Sequence, residues 1–158
     1  MERAKSDLVN RGKPYYEGKS VTMKIPGLRH SAEQVGGIVF FGRMLDKIRL
    51  QARGKLPADY KRGIGTDSRV CQFLRIDYPA LVERTLAGGT DQEILEWCFE
   101  RGHRPGEDEI LWFNAFLVKR GWRDEWTEPL EQMKRAAGFS DRADIQTFFD
   151  FHKADETG

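Results

Sequence analysis

The chain has 158 residues, with 26 Lys and Arg against 25 Asp and Glu and a formal net charge of +1. That length suits one domain able to bury roughly two thirds of its extended surface, and near-neutrality argues against a nucleic-acid binder that works through a broad basic field. No apolar run approaches the roughly 20 residues that a membrane-crossing helix needs, and Met1-Glu-Arg-Ala-Lys-Ser-Asp7 lacks the apolar stretch of a secretion signal. The expectation is a cytoplasmic domain with no membrane partner.

Residues 1–25 read as a polar lead-in, partly disordered, with a short candidate strand at Ser20–Ile25 halted by Pro26-Gly27. The rest of the single domain, 1–158, reads as helix after helix. Ser31 followed by Gln34 fits a capping box, which predicts a first long helix starting at Ser31, with Ile38, Phe41, Leu45, Ile48 and Ala52 on its inner face. Gly36, Gly37 and Gly42 would each cost that helix about 1 kcal/mol, so they imply a close approach by a neighbouring helix or a ligand.

Gly54–Thr66, rich in glycine and bases, reads as a long surface loop. A short helix from Asp67 to Leu74 follows, then one with Pro79 in its first turn running to Gly88. Thr90 and Glu93 form a second capping box for a helix that Gly102 ends, read as a left-handed stop. The acids Glu107–Glu109 suit the positive end of the next helix, which Gly121 stops. Thr127-Glu-Pro129 opens a helix to Gly138, and a last one is expected from Ser140 or Asp141, with Ile145, Phe148, Phe149 and His152 inside. With no internal repeat and no strand alternation, the fold class is all-α: an irregular bundle of about seven short to medium helices around a single core, with that one short N-terminal strand.

The two cysteines, Cys71 and Cys98, are too few for a disulfide framework and wrongly spaced for a metal knuckle, so both are expected reduced and buried. His30, His103 and His152 show no metal-ligand spacing either, so neither metal nor cofactor is expected. Asn114, set among Trp112, Phe113 and Phe116, is expected to tie its helix to a neighbouring backbone.

Charge sign is uneven along the chain. Residues 43–75 are predominantly basic and 91–109 predominantly acidic, which could draw in an anion or let two halves or two subunits attract each other.

Several segments carry a resemblance. Val35-Gly36-Gly37, Leu45-Asp46-Lys47, Asp91–Trp97, Trp112–Asp124 and Asp144-Ile-Gln-Thr-Phe-Phe-Asp-Phe151 resemble a bacterial family classed as a domain of unknown function. The likeness spans most of the chain from Pro26. Where members carry Arg-Ser-Pro before the first long helix this chain reads Arg29-His30-Ser31, so only Arg29 is matched. The resemblance implies a helical fold and carries no reaction, ligand or catalytic residue.

Arg43 and Asp46 fall about 60° apart on the helical wheel, away from the main apolar stripe. They read as a pair partly withdrawn from water, serving either to lock the fold or to hold a polar ligand. Lys47 lies nearer Phe40 and Met44, where a snorkelling surface lysine is the plainer reading. The candidate ligand site is Arg29, Arg43, Asp46 and Lys47, with Tyr60 to Arg69 as a lid; the arginines would grip carboxylate or phosphate and Asp46 would orient Arg43. Arg62-Gly-Ile-Gly-Thr66 ahead of Asp67 is a weaker candidate anion cup. Function itself is not legible here. The reading is a non-enzymatic binding domain for a small anion or a protein partner, a second copy included; the alternative is a small enzyme in which Asp46 or His152 serves as base beside an Arg/Lys clamp.

Overall fold

A computed structural model describes residues 24–157, so most of the candidate strand at Ser20–Ile25 lies outside the described residues. Among the described residues there are seven helices and one tiny antiparallel sheet. Its strands are β1 (Gln34–Val35) and β2 (Ile38–Val39), paired Gln34 to Val39 and Val35 to Ile38. The helices are α1 (Phe41–Ala52), α2 (Thr66–Leu74), α3 (Tyr78–Leu86), α4 (Asp91–Arg101), α5 (Glu107–Lys119), α6 (Thr127–Ala136) and α7 (Phe148–Thr157). No described helix is long and apolar enough to cross a membrane.

The first helix starts ten residues later than the capping-box reading placed it. Gly36 (φ 56°) and Gly37 (φ 83°) are both left-handed, the requirement of a two-residue hairpin turn whose twist matches the flanking strands. Ser31 caps nothing; it is fully buried, and its hydroxyl contacts His152. Asn114 on α5 then pins the hairpin as an amide should, donating from Nδ2 to Gly37 O (2.7 Å) and accepting from Val39 N (3.1 Å).

Once started, α1 is the central helix of the fold, with nine of its twelve residues buried. Of the expected apolar positions, Ile38, Phe41, Leu45 and Ile48 enter the main core, Ile38 from a strand, whereas Ala52 at the end of α1 is exposed. That core gathers α1 with α2, α3 and α4 and receives Leu117 from α5 and Phe149 from α7. A smaller cluster of Leu130, Met133, Ile145, Phe148 and Phe151 seats α6 under α7.

Two other helix ends differ from expectation. Gly102 has φ −115°, so it is no left-handed stop; a Cβ there would strike the Leu74 carbonyl, and close approach of α2 is what demands glycine. The last helix begins at Phe148 instead of near Ser140. Its start is a reciprocal cap: Asp150 N donates to Thr147 Oγ1 (3.1 Å) while the Asp150 carboxylate accepts from Thr147 N (3.1 Å) and Gln146 N (3.0 Å). Residues 139–147 are turns that bring Ile145 into the satellite core.

Candidate functional site

Helix α1 distributes its charges along two stripes. On one, Asp46 sits beside Gly42 and Arg49; on the other, Arg43 and Lys47 lie one turn apart. The stripes meet different partners.

On the first stripe, Arg29 arrives from the segment before the hairpin and lies across Gly42, whose missing side chain leaves room for the guanidinium. This is why a glycine stands inside α1. Arg29 donates to both Asp46 oxygens (Nε to Oδ2, 2.8 Å; Nη2 to Oδ1, 2.9 Å), to Gly42 O (3.1 Å) and to Asp91 Oδ2 (2.6 Å). Arg49 closes the ring, 2.8 Å from Asp91 Oδ1 and 3.7 Å from Asp46 Oδ1. Hydrogen bonds to Asp46 raise the Arg29 pKa. Burial works against charge on Asp91, but the bonds from Arg29 and Arg49 outweigh it and hold the carboxyl below its ordinary range. The ring joins the basic part of the chain to the acidic part, the attraction between halves that the charge layout allowed.

On the second stripe Arg43 is buried and reaches α7. Its Nη1 donates to Glu156 Oε2 (2.8 Å) and Arg29 O (3.1 Å), and its Nη2 to Glu156 Oε1 (2.5 Å). Tyr60 OH donates to the same Glu156 Oε1 at 3.2 Å. The Arg43–Asp46 pair read from the wheel is therefore not formed: each residue bonds elsewhere, because longer-range partners supply bidentate geometry that neighbouring positions on one helix cannot. Lys47 is no snorkelling lysine. It is 6% exposed, with Nζ 2.6 Å from Asp67 Oδ1, 3.0 Å from Lys61 O and 5.2 Å above the Phe40 ring. Desolvation lowers its pKa, against the pull of Asp67.

These cleft-side charges border an open cleft with an inner volume of about 70 Å³. Arg43, Lys47 and Phe40 form one side; Tyr60, Lys61 and Ile64–Thr66 form a second; Arg120, Trp126 and Met133 a third; Phe148, His152, Asp155 and Glu156 of α7 complete it. Phe40 lines it with a left-handed backbone (φ 70°) just ahead of α1, an unusual conformation for a bulky residue and one that the surrounding packing must hold in place. Arg120 stacks its guanidinium over Trp126 at 4.3 Å.

Of the residues singled out in the sequence, the structure brings Arg43, Lys47 and Tyr60 to the cleft and leaves Arg29 and Asp46 in the ring behind it. Arg69 points away and bonds Gln72 at 2.9 Å. The segment read as a lid is a wall pinned by Tyr60 to Glu156, by Lys47 to Lys61 O and by Gly63 N to Asp67 Oδ2 (2.9 Å). That last bond also fills the suggested anion cup, since Asp67 takes the amide an anion would have used.

Sequence reasoning had Lys61 only as part of the expected lid and missed Arg120, Trp126, Asp155 and Glu156. A signal existed for the last two: acids in the final turn of a helix oppose its negative end, so Asp155 and Glu156 call for cationic partners elsewhere. His152 also lines the cleft, with Nδ1 2.6 Å from the buried Ser31 Oγ. Among the described residues, no group of three or more His, Cys, Asp or Glu is placed to hold a metal ion.

Residues 25–158 match the family described as a domain of unknown function (DUF5069). The chain belongs to that family. No curated protein matches it. Both the ring and the cleft lie within the matched residues, so they are features of the DUF5069 region of this chain.

Proposed function

We propose that this DUF5069 chain is a cytoplasmic, non-enzymatic binding domain whose cleft takes a small molecule bearing an anionic group on a flat apolar body. The observation that carries the reading is convergence. Arg43, Lys47, Lys61 and Arg120 come from three separated stretches of chain to one cleft walled by Phe40, Trp126 and Phe148. Cations grip carboxylate or phosphate, aromatic walls take the apolar part, and a concave site with a few fixed polar groups is the usual form of a small-molecule pocket. Glu156 and Asp67 hold the two innermost cations in place, so the site is set before a ligand arrives. The cytoplasmic assignment is supported by Cys71 and Cys98, both free and buried, with burial pushing each thiol up to about 12.

Native mass spectrometry of gently purified protein, followed by thermal shift with phenyl phosphate and benzoate, tests this reading. A retained small acid, or a Tm rise with either probe that the Lys61→Gln, Arg120→Gln double variant loses, is the expected result. An empty protein indifferent to both probes would overturn it.

One contact favours a second reading. His152 is fixed at Nδ1 by Ser31 on the wall of a cleft that also holds cations, the placement of a general base beside an anion clamp. Asp46, the other candidate base, lies in the ring outside the cleft. Turnover of p-nitrophenyl phosphate or ester that vanishes in a folded His152→Gln variant would establish catalysis in place of simple binding.

A further inference from the structure

Helix α5 is the most apolar exposed surface among the described residues. Of its thirteen residues only Leu117 is buried, while Leu111 (65% exposed), Trp112 (68%), Phe116 and Val118 face out, continued by Trp122 just beyond the helix. Large apolar groups set contiguously on a surface mark an interface. The outward positions Asp108, Leu111, Ala115 and Val118 also follow the alternating three-and-four spacing of a helix that packs along another helix.

The charges at its two ends identify the occupant. Glu107 and Asp108 open α5, whereas Lys119 ends it and Arg123 follows, all four exposed. A helix that is acidic at one end, basic at the other and apolar between complements itself when a copy is laid on it antiparallel. We propose that two copies of this chain pair through α5 in this way, across a two-fold axis at Ala115.

The register follows from the axis. Ala115 meets Ala115, and the small side chain lets the helices approach closely. Trp112 then lies opposite Val118, and Lys119 opposite Leu111, with its ammonium one turn from Asp108. Each of these contacts occurs twice, as an isologous interface requires. Both helix dipoles are antiparallel, and each acidic start sits beside a basic finish. The interface does not involve the cleft, so it stands or falls independently of what the cleft binds.

Sedimentation velocity on the full chain reads the outcome. The wild-type chain is expected to be a dimer, and Trp112→Glu to be monomeric with an unchanged circular dichroism spectrum, its dimer dissociation constant raised roughly 30-fold or more, as for a central aromatic anchor. Asp108→Lys weakens pairing, and adding Lys119→Glu to the same chain restores it, because those residues are far apart within one copy and adjacent only across the axis. A monomeric wild-type chain would overturn the proposal and leave the face to a different protein. A dimer indifferent to Trp112→Glu would place the interface elsewhere, and failure of the charge swap to rescue would exclude the antiparallel register.

Discussion

The two charged stripes of α1 differ less in composition than in what lies beyond them. Around Asp46 each charge faces its opposite in a closed four-membered ring: Arg29, Asp46, Arg49 and Asp91. The ring is partly solvated and does not line the cleft. Around Arg43 and Lys47 the ion pairs are more deeply buried, and Arg43, Lys47 and Glu156 also line a cleft. A closed ring leaves little for a ligand to add, whereas paired cations beside open space can gain a further anion. Burial and an adjoining void, together, are what separate a structural ion pair from a candidate binding site.

The largest effect is expected from breaking the deeper pair. Glu156→Ala strands the Arg43 guanidinium in a buried position and should cost about 3–5 kcal/mol, the usual result of removing one partner of a buried ion pair. Urea denaturation checks this, and Glu156→Gln, which keeps acceptor capacity, should lose less. Asp46→Ala strands nothing so deeply, since Arg29 keeps Asp91 and access to water; about 1–2 kcal/mol is expected, with probe binding at the cleft intact. Equal losses from the two substitutions would erase the distinction between stripes. Loss of probe binding in Asp46→Ala alone would put the ring inside the site.

How far the sequence revealed this arrangement depends on the range of each interaction. Helices α2 to α6 were legible because their signals are local: apolar period, Thr90 with Glu93, Pro79, and acids at the start of α5. The start of α1 was not, because Ser31 and Gln34 imitate a capping box while Gly36-Gly37 encodes a turn; two left-handed glycines between Val35 and Ile38 were the stronger signal. Arg43 stands out on the wheel, but beside Asp46, and Lys47 reads there as a snorkelling lysine; the true partners are not visible, since Glu156 lies 113 residues from Arg43. Amphipathic periodicity reports which side of a helix is covered and is silent about what covers it. Tyr60 reaches the cleft from an irregular loop, whereas Arg69 sits in α2 and bonds Gln72 of the same helix.

Opposite ends of the pH scale should separate the stripes further. Lys47 has a lowered folded-state pKa, so between that value and the ordinary lysine value near 10.4 the unfolded chain binds more protons and stability rises with pH. The Lys47→Met, Asp67→Asn double variant, which replaces the pair by neutral groups, should lack this alkaline rise when its unfolding free energy is subtracted from that of the parent.

The ring should respond at the acid end, and more weakly. Asp91 has a lowered pKa, so its contribution is whole above the ordinary aspartate value near 3.9 and disappears as pH falls through the lower folded-state value. Asp91→Asn should therefore be less stable than the parent at pH 7 and converge with it in strong acid. Because the Asp91 side chain is 25% exposed, that gap should also shrink in 1 M salt, where screening extends to about 3 Å; the difference that the Glu156 substitution makes should change less, since its Arg43 partner is only 3% exposed. A salt-insensitive Asp91 gap would mean that the ring is as dry as the Arg43 pair, and the contrast between the two sides of α1 would then rest on the cleft alone.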